Sequence, residues 1–270
     1  RDRVKLHDEV KDFELASARW ANASIYASEG QPYGVIVGKK LKRTEKGDVI
    51  FENGLPTFDD KVSVLGNGNY DFTLGFRNAF TYKNLSMSVL FDMKFGADIY
   101  SMSAMQSHVN GTSKETLEGR QEWYSSEQKR QSAGVPAGNW IATGGYVGKG
   151  VMAIKNDDGE MIYVSNNVCV DPAKYWQALQ TTSPEPFIYD NSFVKLREIS
   201  LSYNCPKKWF VHTPIESITL SAYGRNLLLI YSNVDNIDPE SSYNNGNGQG
   251  FEYGSLPSRR TFGFGINVKF

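Results

Sequence analysis

Residues 260–270 alternate without a slip, with Phe262, Phe264, Ile266, Val268 and Phe270 on one side and Thr261, Gly263, Gly265, Asn267 and Lys269 on the other. Successive side chains of a strand point to opposite faces, so this segment predicts a β-strand with one apolar wall and one polar or side-chain-free wall. On a final edge strand such a wall must be covered, by a second layer in a soluble protein or by lipid in a transmembrane barrel. The same period recurs upstream. Tyr70, Phe72, Leu74, Phe76, Asn78 and Phe80 oppose Asp71, Thr73, Gly75, Arg77 and Ala79; beyond the connection Tyr82-Lys83-Asn84, Leu85, Met87, Val89, Phe91, Met93 and Phe95 oppose Ser86, Ser88, Asp92 and Lys94. Together they predict a long antiparallel hairpin with one oily side. Each strand has about 10 residues, about 33 Å at roughly 3.3 Å per residue. Tilted by about 40°, that matches an apolar band about 25 Å tall.

Two further strands are expected at Phe193–Tyr203, where Ile199, Leu201 and Tyr203 oppose Glu198, Ser200 and Ser202, and at Ser217–Ile230, where Ile218, Leu220 and Ala222 oppose Ser217, Thr219 and Ser221. Lys195 and Arg197 break the parity of the first, which predicts a bulge or a charged membrane-edge position. The chain divides accordingly into a loop and hairpin region over 1–69, a strand hairpin over 70–95, a long loop over 97–191 and three last strands over 193–270. Within the first region a short helix is expected around Val10, Phe13 and Leu15. It is followed by a hairpin of Gly34–Gly38 with Asp48–Phe51. In the long loop, Ser113–Trp123 predicts a helix capped by Thr112 or Ser113, and Met152–Val164 a small hairpin around Asn156-Asp-Asp-Gly159. Residues 232–258 are a loop rich in Gly, Asn and Ser. The fold class is all-β: antiparallel strands of a partial transmembrane barrel, with long extracellular loops holding minor helix.

Composition narrows the function. The 29 Lys and Arg against 30 Asp and Glu give a formal charge of -1, which offers no basic footprint for a nucleic-acid partner. The longest apolar runs are about four residues, far short of the roughly 18 needed by a spanning helix. Spanning strands need no such run. The 15 Tyr, 15 Phe and 5 Trp suit strands, carbohydrate stacking or membrane-interface girdles. The chain begins at Arg1 without an initiator Met, and is expected to be a mature product or an interior portion of a longer protein.

No catalytic constellation emerges. His7, His108 and His212 lie far apart and outside metal-ligand spacing, no G-x-S-x-G elbow occurs, and Gly144–Gly150 lacks the order of a phosphate loop. No cofactor is expected. Asn156–Gly159 and Asp235–Glu240 carry carboxylates that suit calcium, without the full spacing of an EF-hand, and compete with plain turn and loop-staple roles. Cys169 and Cys205 should lie at opposite ends of a strand, too far apart to bridge, and are expected to be free thiols. The polar-face charges Asp71, Arg77, Asp92, Lys94, Glu198, Arg225 and Lys269 read either as the solvated exterior of a soluble sheet or as a hydrated lumen. The repetition of long one-sided strands favours the lumen.

Several motifs in series then carry a family likeness. Asn191-Ser-Phe-Val-Lys-Leu-Arg-Glu-Ile-Ser-Leu-Ser-Tyr203 with Pro206, Gly224-Arg-Asn-Leu227, Asp238-Pro-Glu240 and the closing Pro257–Phe270 segment resemble the carboxy-terminal signature of SusC/RagA-type TonB-linked outer membrane transporters. Gly30-Gln-Pro-Tyr-Gly34, Gly66–Phe72 and Asn78–Lys83 are similar to the same family's later barrel region. The resemblance implies part of a barrel of about 22 strands in the outer membrane of a Gram-negative bacterium, importing glycan or peptide fragments. It also implies a SusD-like surface lipoprotein as partner, TonB contacted through a part of the receptor amino-terminal to this chain, lipid around the barrel, and a periplasmic carboxy terminus. Residues 97–191 and 232–258 would be extracellular. There Trp123, Trp140, Tyr146, Tyr175, Trp176 and Tyr253 are candidates for stacking on substrate or packing on the lipoprotein lid, against ordinary loop packing. Two other classes remain open: a soluble β-sandwich binding carbohydrate, and a glycan-processing enzyme, which would need two carboxylates at catalytic separation in one cleft.

Overall fold

The computed structural model describes residues 3–7, 9–244 and 246–270. The strands along the chain are β1 (Asp12–Ala18), β2 (Ala23–Ser28), β3 (Val35–Leu41), β4 (Ile50–Glu52), β5 (Leu55–Pro56), β6 (Phe58–Asn67), β7 (Phe72–Tyr82) and β8 (Leu85–Phe95). They continue with β9 (Asp98–Ser101), β10 (Val151–Lys155), β11 (Met161–Ser165), β12 (Ile188–Asp190), β13 (Phe193–Asn204), β14 (Ser217–Ser232), β15 (Phe251–Glu252) and β16 (Thr261–Lys269). Among the described residues three α-helices, α1 (Met102–Val109), α2 (Arg120–Ser132) and α3 (Pro172–Thr182), all fall between β9 and β12. The chain forms two compact units, one of 1–68, 99–188 and 242–254, the other of 69–98, 189–241 and 255–270.

The first unit departs most from the sequence reading. No helix forms around Val10–Leu15; β1 and β2 pair there instead and join β3 and β6 in a four-stranded antiparallel sheet. The alternating Ala23, Ile25 and Ala27 of β2 are buried, as are Val35 and Ile36 of β3, so period two wins over a loosely spaced helical pattern. The 34–38 and 48–51 segments do not pair with each other. Strand β3 lies between β2 and β6, while β4 pairs with β5 and, in parallel, with β10 of the β10–β11 hairpin. That hairpin is where the Met152–Val164 pattern puts it. The helix expected over Ser113–Trp123 is displaced. Lys114–Leu117 makes a single 3-10 turn, and α2 starts after Gly119, whose φ of 74° and close approach to Tyr146 suit only glycine. The core of this unit includes Ile25, Ile36, Tyr100, Met105, Phe187 and Phe251.

The second unit is one five-stranded antiparallel sheet in the order β16-β14-β13-β8-β7. Its strands are the five alternating segments of the sequence, with the turn Lys83-Asn84 joining β7 to β8. The register lines up apolar side chains across all five strands. Phe80, Met87, Leu201, Ala222 and Phe264 form one row, and Tyr82, Leu85, Tyr203, Leu220 and Ile266 the next. This face is bare: Phe72, Leu74, Phe76, Phe80, Phe262, Phe264 and Ile266 are all exposed. A β-sandwich would pair it into a dry core, and no second layer of this unit does so. The other face carries Ser86, Ser202, Ser221 and Gly265 in one row and Arg77, Leu90, Glu198, Arg225 and Thr261 in another.

Candidate functional site

The polar face of the five-stranded sheet gathers the charges that the sequence assigned to a lumen. Strand β13 bulges between Leu196 and Glu198 against both neighbours, so Arg197 is an extra residue in the ladder. Lys195, Arg197 and Glu198 therefore all serve the polar face, while Val194 and Leu196 before the bulge and Ile199 and Leu201 after it keep to the apolar one. The parity slip in the sequence marks this device. Facing it, β14 bulges at Asn226, which has φ 51° in the left-handed region that Asn tolerates better than most residues.

Charges are paired along this face. Glu198 accepts from Arg225 Nε at 2.8 Å and has an Arg77 nitrogen at 4.0 Å, with both arginines more than half exposed. Lys269 pairs with Glu216 at 2.8 Å beside the short connection between β13 and β14. Asp71 packs against Gly96, whose φ of 82° and lack of Cβ leave room for it. Asp92 and Lys94 enter a denser network. Lys195, only 6% exposed, donates to Asp238 at 2.5 Å and Glu240 at 2.8 Å. Arg197 clamps Glu240 with two nitrogens at 2.9 and 2.6 Å, and also donates to Asp92 at 2.5 Å and Asn226 at 2.6 Å. Lys94 lies 3.7 Å from Glu240 and over the rings of Tyr70 and Phe193.

Burial pushes the Asp238 carboxyl up, but hydrogen bonds from Lys195 and Ser258 outweigh it and hold the group well below the usual carboxylate range. Burial acts on Glu240 in the same sense and is outweighed by Arg197 and Lys195, which bring it down to about 2. These loop carboxylates, a calcium candidate in the sequence, are thus occupied by ammonium and guanidinium groups. At the other candidate, the Asn156 side-chain oxygen accepts from the Asp158 and Glu160 amides at 3.1 and 2.8 Å, which makes it a turn staple. Among the described residues no group of three His, Cys, Asp or Glu could hold a metal ion. Cys169 and Cys205 are free, half-buried thiols.

The six loop aromatics all belong to the first unit and fall into three groups. Trp123 and Trp140 line a cavity of about 620 Å³ with Asn53, Asn167, Cys169 and Lys174. The indole N–H of Trp140 donates to Ser126 at 3.0 Å, which fixes the ring. Tyr146, Tyr175 and Trp176 pack on one another, the two tyrosines 4.4 Å apart, and Trp176 lies 4.4 Å from the His108 ring. Tyr253 stacks against Trp20 at 4.7 Å, beside Tyr243. Trp20 and Tyr243 carried no sequence signal, because their partners are supplied from distant segments.

No family model matches the chain. It is 27% identical over 225 residues to TonB-dependent receptor P3 of Formosa agariphila, covering 80% of this chain and 18% of that protein. It is 27% identical over 258 residues to receptor P26 of the same organism, covering 93% and 21%. Among solved structures, the RagAB peptide importer in its closed-closed state matches 98% of this chain and 25% of that one, with a TM-score of 0.54 and 13% identity. Its open-open state matches with a TM-score of 0.55 and 14% identity. At that identity the likeness shows the fold alone. The chain spans about a fifth of the length of the curated relatives it matches, and those relatives are receptors and not enzymes. Over most of its length the chain is therefore similar in sequence to stretches of TonB-dependent receptors, and it shares the fold of part of the RagAB importer.

Proposed function

We propose that this segment supplies barrel wall and outer loops to a transporter in the outer membrane of a Gram-negative bacterium. The carrying observation is the five-stranded sheet whose continuous apolar face has no protein cover, opposite a face of serines, glycines and paired charges. A bilayer supplies the missing cover, and a hydrated lumen suits the other side. Asp71, Arg77, Asp92, Lys94, Glu198, Arg225 and Lys269 then belong to the lumen wall. Rings mark both ends of the sheet, with Phe72 and Phe95 stacked at 5.1 Å at one end and Tyr203 and Trp209 at 6.2 Å at the other, as interfacial girdles require.

Topology supports an orientation. The long segments after β8 and β14 leave from one end of the sheet, and the short connections β7–β8 and β13–β14 lie at the other, together with the end of β16. With short turns periplasmic and long loops external, the carboxy-terminal end faces the periplasm. Cargo is a glycan or peptide fragment; the RagAB neighbour, a peptide importer, supports the peptide. A SusD-like lipoprotein covers the outer mouth, and TonB engages a part of the receptor outside this chain. Trp123, Trp140 and Tyr253 offer ring surface toward cargo or lid, whereas Trp176 is buried and serves packing.

Membrane fractionation of the full-length product tests the reading. Recovery in the outer membrane, with a surface lipoprotein co-purifying, is expected; recovery in the soluble periplasm defeats it. The enzyme alternative needs free carboxylates in one cleft, yet Asp92, Glu198, Asp238 and Glu240 on the polar face are each held by a cation.

A further inference from the structure

The ion-pair network joins parts of the chain that lie far apart in sequence. Lys94, Lys195 and Arg197 face Asp92, Asp238 and Glu240, three cations against three anions, so the cluster is neutral as a whole. It also ties together the two feet of the 232–258 loop. One oxygen of Asp238 takes Lys195 of the wall, and the other accepts from the backbone N–H of Ser258 at 2.8 Å and from its hydroxyl. Asn226, held by Arg197, donates in turn to the Arg259 carbonyl at 3.0 Å.

Neutral contacts fasten the first foot as well. Asn191 donates to the Pro239 carbonyl at 2.8 Å, and the Asn233 amide to the Ser192 carbonyl at 3.1 Å. Asp238 folds the foot on itself, its side chain accepting from the Glu240 amide at 3.0 Å and its carbonyl from the Ser241 amide at 2.8 Å, with Pro239 fixing φ between them. Lifting this segment would keep its internal turn bonds but take Asp238 and Glu240 from Lys195 and Arg197, Asp238 from Ser258, and the Pro239 carbonyl from Asn191, leaving Lys195 without its two anions.

We infer that the network is a permanent clamp across the base of the 232–258 loop, making residues 233–241 a fixed strut over the polar face and not a lid that swings from its base. The clamp goes beyond the transport reading and rests only on the geometry of the sheet and its loop. Two of the motifs carrying the family likeness, Asp238-Pro-Glu240 and the Lys195 and Arg197 positions of β13, thereby acquire one shared role.

Hydrogen exchange on the full-length receptor in detergent micelles tests it. In the native protein the amides of Asn233, Glu240, Ser241 and Ser258 should exchange slowly, at rates comparable with those of β13. Lys195→Met should speed exchange of 233–241 and 256–259 by about tenfold or more while leaving β7 and β8 unchanged, and Lys195→Arg should restore most of the protection. Native exchange of 233–241 as fast as in an unstructured peptide overturns the clamp, and so does protection that survives both Lys195→Met and Arg197→Gln. Should neither variant assemble, the native rates alone decide. Failure of the receptor to transport any nutrient leaves these rates untouched, so the two readings fail separately.

Discussion

The two units are built inside out with respect to each other. In the first, Ile25, Ile36, Tyr100, Met105, Phe187 and Phe251 form a buried apolar core, although Phe13, Val62, Ile141, Met161 and Tyr163 are exposed. In the second, a full apolar face stands bare, and the buried groups include Lys195, Asn191 and Ser192. Water as solvent explains the first unit, since burying apolar surface is its main driving force. It does not explain the second. A sheet that shows its hydrocarbon outward and pairs its charges inward matches a bilayer on one side and a hydrated, walled space on the other. On the transport reading proposed above, the difference in what is buried reflects lipid against the sheet of the second unit.

The strongest way to test this contrast is through the core that obeys water. Phe187 is 1% exposed and packs against His108, so Phe187→Ala should cost about 3–5 kcal/mol and show as faster proteolytic release of the 99–188 segment. Next comes the inverted face. Met87 and Ser88 are neighbours on β8 pointing to opposite sides; Met87→Arg should cost about 2–4 kcal/mol and lower recovery of heat-modifiable barrel, while Ser88→Arg is tolerated. Equal tolerance of the two would remove lipid from the account.

Acid sharpens the charged interior. Asp238 and Glu240 titrate below their ordinary values in the folded protein, so the stability they contribute is complete above the unfolded carboxylate range and declines as pH falls through the folded values. For Glu240 that window runs from 4.5 down to about 2. Protection of 233–241 from hydrogen exchange should thus hold at pH 6 and weaken below about pH 4. The smallest effect belongs to Arg77, more than half exposed and 4.0 Å from Glu198. Arg77→Ala should change stability by about 0–1 kcal/mol, and any larger loss would mean that this part of the face is drier than the structure shows.

The five strands of the sheet, its oily side, its β7–β8 turn and the bulge near Arg197 could all be read from the sequence, because period two and a break in parity are local properties of the chain. The first unit was poorly legible for the same reason. Its strands β1, β2 and β6 are short or mixed in character, and what settles them is the sheet they share, with partners up to dozens of residues away. Helix α2 lay hidden behind Gly119, whose left-handed turn moved the start of the helix past the capping residues that suggested it.

The candidate site divides along the same line. Composition and alternation alone determined that Asp92, Lys94, Glu198 and Arg225 would share a face, since side-chain direction in a strand follows from position. They could not determine that Lys195 and Arg197 would be neutralised by Asp238 and Glu240, more than forty residues further on. Closing a loop and docking its carboxylates on a wall is a tertiary event, decided by the cost of burying unpaired charge. Pattern marks where the chain changes face; only the folded chain shows which charge answers which.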